Sequence, residues 1–171
     1  MISYQPALDR YHTIFRHLAL IRDIAPCLPV DVDKLRILDF YLIFPFRLET
    51  FRFKQPQVSF KKIGKAYRSM QPYGGIPDDA SLLLRMAPVQ ALAMDTLAAQ
   101  ALIDPDAYKQ GVIVAGEGET PEPLSQSIAT FLADNASLFE VIRTLACDYS
   151  LLGDDGLKRR SGLMEYKYDA A

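Results

Sequence analysis

The sequence predicts a mainly α-helical protein: a single helical domain with a short β-hairpin or wing (winged-helix-like) and a C-terminal strand-like tail. Apolar residues recur every three or four positions through most of the chain, which is the helical period. A β-branched run at 112–114 stands near glycines and indicates the β element. The length of 171 residues suits one domain. We therefore assign residues 1–152 to the helical domain, with the β element near 107–115, and residues 153–171 to a tail that docks on the domain's own sheet or on a partner.

Two helices are predicted in the N-terminal part of the chain. The first covers residues 9–24, whose apolar positions form one stripe, and two prolines follow it. The second starts at Asp31 or Asp33, because a short carboxylate can accept hydrogen bonds from the free amides of a first turn. It continues to residue 44, where the following proline ends it.

The middle of the chain predicts a short helix and then a longer one. Ser59 can cap the short helix. Asp78 or Asp79 opens the longer segment over residues 80–86, and a renewed helix over residues 88–103 has proline in its first turn. The many alanines of this segment allow close packing, so we predict it as the central buried helix.

The last helices are bounded by capping residues. One covers residues 124–133. Ser137 and Glu140 form the pattern of a capping box, in which each side chain satisfies the other residue's free amide, and this predicts a final helix to residue 152. Gly153 then provides the left-handed residue at which a helix commonly stops.

Composition places the chain among ordinary globular proteins of a reducing compartment. Half of the residues are apolar and 23% are charged, which excludes the disordered class. Cys27 and Cys147 have neither metal-ligand spacing nor the pattern of a disulfide framework, and predict small buried thiols. The N-terminus lacks the pattern of a secretory signal, and the longest apolar run, 37–46, is too short to span a membrane. The expected location is the cytoplasm, with no membrane contact.

The sequence predicts no enzyme, metal or cofactor. His12 and His17 are the only histidines, and five positions apart on a helix they point in different directions. Paired acids occur beside glycine and proline, as in caps and solvated turns, and no phosphate-binding glycine motif occurs. A hydrolase or nuclease would need carboxylates that converge in the folded protein.

An apolar block at residues 40–46 is the best indication of a protein-binding surface. One helix face in a small domain buries about half of such a run, so a buried core helix and a partner-facing helix both remain open. In the tail, large residues alternate with charged ones over 164–168, which is the strand period, and a lone strand needs an edge to pair with. The candidate partner interface comprises Phe40, Tyr41, Ile43, Phe44, Phe46, Leu163, Met164, Tyr166 and Tyr168.

Basic residues are concentrated between positions 47 and 68. They are interleaved with phenylalanines and opposed only by Glu49. Such a cluster either forms a solvated face or contacts DNA or an acidic partner, since basic side chains give sequence-independent affinity for phosphates. The candidate DNA or acidic-partner contact comprises Arg47, Arg52, Lys54, Lys61, Lys62, Lys65 and Arg68.

Three segments together resemble a known family. They are RYHTIFR at 10–16, DKLRILDFYLIFP at 33–45 and GLKRRSGLMEYKYD at 156–169. The chain resembles a middle component of the bacterial ABC-three-component (ABC-3C) systems, which include the Lamassu anti-phage systems. The resemblance implies a small non-catalytic adaptor subunit that joins an SMC- or Rad50-like ATPase to a separate effector, often a nuclease, in a hetero-oligomer that reaches DNA through the complex.

The alternative function is that of a stand-alone winged-helix DNA-binding regulator. That class needs a basic helix that reads base edges. The helix predicted over residues 88–103 has no Lys or Arg and does not fit that role, whereas the segment 59–69 does.

Overall fold

The computed structural model describes residues 5–72, 74 and 76–164, which form a mainly helical protein with a small two-stranded antiparallel sheet. This confirms the predicted fold class. The elements in chain order are α1 (Arg10–Asp23), β1 (Val30–Asp31), α2 (Val32–Ile43), α3 (Lys61–Ala66), α4 (Asp79–Ala99), α5 (Pro105–Lys109), β2 (Val112–Ile113), α6 (Glu122–Asp134), α7 (Ala136–Asp148) and α8 (Leu157–Ser161).

The N-terminal helices form as the sequence predicts. Asp9 caps α1, since its side chain accepts a hydrogen bond from the His12 amide at 2.9 Å. Asp31 precedes α2 in extended conformation, without a side-chain capping bond, and Phe44 follows its last residue. Helix α1 packs against α2, α4 and α6, while α2 also packs against α4 and α7. These two helices therefore form the centre of the core.

The β element pairs with a distant segment of the chain. Val30 lies opposite Ile113 and Asp31 opposite Val112, in antiparallel register. The predicted β element is confirmed, but its partner strand is β1, about 80 residues earlier, and not a neighbouring strand of a hairpin. Two strands of two residues each gave no sequence signal for this pairing, because it depends on how distant parts of the chain pack together.

Helix α4 differs from the prediction in two ways. It runs without a break through Pro88, so the two predicted segments are one helix, capped by Asp78, whose carboxylate accepts from the Ser81 amide at 3.0 Å. It is also only half buried: Leu84 is 72% exposed and Leu92 is 44% exposed. The expectation of a central buried helix is therefore wrong. Among the described residues, α4 is the one helix long and apolar enough to cross a membrane, a test that core helices of soluble proteins also pass.

Two predicted caps are not used. Ser59 lies within a 3-10 turn, and Phe60 precedes α3 without a side-chain capping bond. Asn135 precedes α7, so Ser137 lies within the helix and not at its cap. In both places the helix starts one or two residues away from the predicted cap, which is the usual scatter of helix ends.

The first part of the tail is helical and packs on the core. Helix α8 begins after Gly156, and Leu157 and Leu163 are fully buried. The predicted strand falls mostly on residues outside those described, including Tyr166 and Tyr168. The tail therefore contributes two core residues before the described part of the chain ends.

The two cysteines are joined. Cys27 forms a disulfide with Cys147, with their Cα atoms 5.2 Å apart, within the usual range. The expectation of separate buried thiols is wrong, because the short turn after α1 packs against α7 and brings together residues 120 positions apart. Cys147 is exposed and Cys27 half-buried.

Candidate partner-binding surface

The predicted apolar block has an inner and an outer part. Phe40, Tyr41 and Phe46 are 0%, 2% and 6% exposed and belong to the core. Ile43 and Phe44 are half-buried and point into surface grooves. One side of α2 is half-buried along the helix, as at Arg36 and Ile43, whereas Tyr41 and Leu42 of its last turn are buried. The part of the block that a partner can reach is therefore Ile43 and Phe44.

The first groove has a volume of about 630 Å³ and lies between α1, the end of α2 and the α6–α7 corner. Its floor includes Phe15 and Phe131, whose rings meet edge to face with centroids 5.3 Å apart. Most of its lining surface is apolar, although three polar residues, His12, Arg16 and Asn135, take part. The lining residues are Tyr11, His12, Phe15, Arg16, Leu42, Ile43, Pro45, Tyr67, Met70, Phe131, Asn135 and Leu138. Such a concave apolar surface suits an apolar side chain or helix face from a partner.

The second groove has a volume of about 450 Å³ and lies between the N-terminal turn, the end of α2 and α4. It shares Ile43 and Met70 with the first groove, so the two form one surface on either side of these residues. Met70 is 54% exposed and Leu8 40% exposed. The second groove is lined by Gln5, Pro6, Ala7, Leu8, Ile43, Phe44, Phe46, Met70, Pro72, Ile76, Pro77, Leu82, Arg85 and Met86.

Sequence reasoning missed most of this surface. Tyr11, 71% exposed, was part of the predicted inner stripe of the first helix, and Phe131 and Met70 were not singled out at all. The grooves arise between elements that are far apart in the chain, and no local pattern marks them. The exposed aromatic ring at the start of the first helix is the one local signal that was available.

A buried ionic network supports the floor of the first groove. Asp39 accepts hydrogen bonds from Arg16 Nε at 2.6 Å, Arg16 Nη2 at 3.2 Å and Gln90 Nε2 at 2.9 Å. Arg16 also donates to the Pro6 carbonyl at 2.9 Å. His17 Nε2 lies 3.6 Å from Asp39 Oδ2, beyond hydrogen-bond distance. Since these residues belong to α1, α2 and α4, the network fixes how the three helices meet.

This network strongly favours the ionised form of the Asp39 carboxyl group over the protonated form. Complete burial by itself raises the pKa of a carboxyl group, because it penalises the charged form. The Arg16 guanidinium and the His17 ring outweigh burial and hold the pKa of Asp39 well below its usual range. Asp39 is therefore ionised at neutral pH and forms a buried ion pair with Arg16.

Four of the seven predicted basic residues are engaged within the chain. Arg47 Nε lies 3.0 Å from Asp79 Oδ1, and Arg68 pairs with Glu49. The other two donate to backbone carbonyls near the C-terminal end of the fold: Arg52 to residue 160 at 3.2 Å and Lys54 to residue 148 at 3.1 Å. These contacts join the 45–54 segment to α4, α7 and α8. Their charges are thus partly used by the fold itself.

The remaining three basic residues lie together on α3. Lys61, Lys62 and Lys65 make no ion pair with any residue in the described ranges. Lys62 and Lys65 are exposed. Helix α3 leads directly to Tyr67 and Met70, so this lysine helix borders the first groove. These three lysines of the predicted basic cluster therefore lie beside an apolar surface, and their contact with DNA or an acidic partner stays a prediction.

The described residues bring together no group of three or more His, Cys, Asp or Glu side chains that could hold a metal ion. Their surface offers apolar grooves with a basic border, on a helical framework with a small sheet. Fold and surface together define a class of small helical proteins that bind other macromolecules. The chain belongs to the family described as ABC-three component (ABC-3C) system Middle Component 5, which matches residues 2–169. Membership implies association with other components of an ABC-3C system.

No curated protein matches the chain, and no solved structure matches it. The winged-helix-like description of the fold holds only roughly, since the sheet consists of two short strands from distant parts of the chain.

Proposed function

We propose that this protein is the non-catalytic adaptor of an anti-phage defence complex of the Lamassu kind, linking an SMC- or Rad50-like ATPase to an effector such as a nuclease. The observation that carries this proposal is the family match over almost the whole chain. The apolar grooves support it, because a subunit whose work is to hold other proteins needs exposed apolar surface that its own fold does not cover.

The partner contact in this proposal is the pair of grooves around Ile43 and Met70. A partner that covered both grooves would bury the outer side of the 40–46 block. Binding energy at such a surface comes mainly from a few apolar anchors, while charges affect the rate and the orientation of association. The described part of the tail lies outside both grooves, with Leu163 buried and Met164 half-buried beside Leu84 of α4, and it is the second partner contact in this proposal.

Co-purification with the products of the neighbouring genes tests the adaptor role. Tagged protein is expressed with those genes, as wild type and as Met70→Glu, which places a charge between the two grooves at a residue that is 54% exposed. The matched control is Leu152→Glu, at an exposed leucine outside both grooves. We expect wild type and the control to retain an ATPase or an effector and Met70→Glu to lose it while its melting temperature stays close to that of wild type. Loss in neither variant would remove the grooves from the proposal, and recovery of no partner by wild type would contradict the adaptor role.

The lysine helix α3 favours a second contact, with DNA or with an acidic protein. Each lysine that neutralises a phosphate adds about 0.9 to the slope of log affinity against log salt. We expect the triple variant Lys61→Glu, Lys62→Glu and Lys65→Glu to lower that slope for the assembled complex by about 3. Fluorescence anisotropy with a labelled duplex measures the slope, and Lys109→Glu, at an exposed lysine paired with Asp106, is the control.

The same assay separates the adaptor from the stand-alone regulator. A regulator would bind one duplex sequence far more tightly than others without any partner, because direct base contacts discriminate sequences. An adaptor would show weak, sequence-independent binding that increases in the complex. Sequence-specific binding by the isolated chain would therefore replace the adaptor with the regulator.

A further inference from the structure

The outward face of α4 is mainly apolar and carries two charged residues. The residues that face the core, such as Leu83, Met86 and Leu97, are at most 2% exposed. The opposite side carries Leu84 at 72% and Leu92 at 44% exposure. The exposed positions of this α4 outer face are Ala80, Leu84, Arg85, Pro88, Ala91, Leu92, Asp95 and Ala99. They recur every three or four residues, so they form one stripe about 28 Å long.

The stripe carries two opposite charges, and neither is compensated. Arg85 and Asp95 are exposed, and neither forms an ion pair with another residue in the ranges that the structure covers. Asp95 accepts a hydrogen bond from the Tyr108 hydroxyl at 2.8 Å, which leaves its negative charge in place. The two charges are ten positions apart, about 15 Å along the helix, and lie at equal distances from the level of Gln90.

We propose that the α4 outer face pairs with the same face of a second copy of this chain, with the two helices antiparallel and crossing at the level of Gln90. In that arrangement Arg85 of each copy meets the partner's Asp95, so one contact occurs twice. This is the self-complementarity that a two-fold interface requires. Leu84 and Leu92 lie on either side of the crossing point, and the small side chain of Ala91 lies next to it.

The charge pattern favours a second copy over a membrane as the occupant. Helices that lie on membranes carry Lys and Arg along the border of their apolar face. Here Asp95 lies close to the middle of the stripe, where it would meet lipid, and the opposite side of α4 is used by the protein's own core. An antiparallel copy instead brings a cation to that carboxylate. The inference does not rest on the adaptor role, since it uses only the exposure and charges of α4.

The α4 outer face lies next to the second groove, which the proposed function assigns to partner binding. Arg85 also lines the second groove, so the α4 outer face and that groove are adjacent. A two-fold pairing through α4 would place two copies of the groove surface in one assembly. Two partner subunits would then be held at a fixed separation.

Sedimentation equilibrium of the full chain from about 1 to 100 µM tests the pairing, because this range covers the affinity of ordinary protein dimers. We expect a monomer–dimer equilibrium in wild type. The single reversals Arg85→Asp and Asp95→Arg each turn both attractive contacts into repulsive ones, and each should raise the dimer dissociation constant at least about tenfold, a loss typical of like charges at an interface. The double reversal restores both contacts with their signs exchanged and should return the constant to within about threefold of wild type.

Two control variants and one disruptive variant keep the result specific. Tyr108→Phe removes the hydrogen bond to Asp95 without changing charge and should leave the constant unchanged. Leu152→Glu places a charge at another exposed leucine and should also leave it unchanged. Leu84→Glu should abolish the dimer. A melting temperature close to that of wild type shows that each variant is folded.

Several outcomes would overturn the proposal. One is a wild-type protein that stays monomeric up to about 100 µM, and another is a double reversal that dimerises no better than the single ones. A third is co-sedimentation of monomeric wild type with phosphatidylcholine and phosphatidylglycerol vesicles that Leu84→Glu abolishes. That result would assign the α4 outer face to a membrane.

Discussion

Replacing Asp39 by Asn is the most direct test of how the helices are held together. Asp39 is fully buried on α2 and holds Arg16 of α1 and Gln90 of α4. Asn has nearly the same shape, so the change removes the charge without leaving a cavity. The substitution therefore measures how much the charge of Asp39 contributes to stability without a change in packing.

The expected loss can be worked out from the contacts. An Asn oxygen can still accept the bond from Arg16 Nε, but its amide nitrogen would face the Nη2 of Arg16 and the amide of Gln90, which are also donors. One charge-assisted bond is worth about 1.5 to 3 kcal/mol and one neutral bond about 1 kcal/mol. Arg16, 5% exposed, also keeps a buried charge without its counterion. We expect Asp39→Asn to lower the free energy of unfolding by about 3 to 5 kcal/mol, the range for breaking a buried ion pair.

The loss should depend on pH. The pKa of Asp39 is lower in the folded than in the unfolded protein, where it is about 3.9. The ionised group therefore contributes stability that is fully present above about pH 4 and is lost as pH falls toward the folded pKa. Urea unfolding at pH 7 and pH 3 should show the difference between wild type and Asp39→Asn becoming smaller at the lower pH.

Two further variants make the measurement specific. Asp154→Asn breaks an exposed pair with Arg159, in which Asp154 is 92% exposed, and should leave stability nearly unchanged. The double variant Arg16→Met with Asp39→Leu removes both buried charges and should cost at least about 2 kcal/mol less than the sum of the two single changes. The reasoning is refuted if Asp39→Asn lies within about 1 kcal/mol of wild type at pH 7, or if its difference is the same at both pH values.

Three other changes have expected outcomes that follow from single contacts. Gly64→Ala would bring the new Cβ into contact with the Glu49 amide nitrogen, where α3 packs against the 3-10 turn Pro45–Glu49. We expect a loss of at least about 2 kcal/mol by thermal unfolding, and a neutral result would mean that α3 can move away. Tyr149→Phe removes a hydroxyl that accepts a hydrogen bond from the Lys54 amide at 2.9 Å, so urea unfolding should show that the free energy of unfolding falls by about 1 to 3 kcal/mol. An unchanged free energy would indicate that water replaces the hydroxyl. Cys27→Ser removes the disulfide that closes a loop of about 120 residues and should lower the free energy of unfolding by up to about 4.7 kcal/mol relative to oxidised wild type. Reduced wild type should have the same stability as the variant. Identical melting of wild type with and without reductant would show that the bond does not form in solution.

Local sequence predicted where several helices begin. Asp78 caps α4, as its short carboxylate predicts. The predicted end of the last long helix at residue 152 is wrong, because α7 ends at Asp148 and Gly153, although it adopts positive φ, lies in the turn that follows. The apolar block was recognisable because seven residues with so little polarity cannot all face water. These features depend on residues within one or two helical turns, so they can be predicted from the local sequence without knowledge of the tertiary structure. Membership in the ABC-3C middle-component family was likewise readable from the sequence.

Tertiary structure decided which of those residues are available. Phe40 is in the core and Ile43 is half-buried at the surface, although they are about one turn apart, because the other elements cover only the side of α2 that carries Phe40. Of the seven basic residues of the predicted cluster, four make ion pairs or hydrogen bonds within the chain, and three make no ion pair with the described residues. The pairing of β1 with β2, the Cys27–Cys147 bond and the exposure of α4 also depend on residues far away in the chain. A periodic pattern tells which face of a helix is apolar, but what covers that face is set by the packing of the other elements.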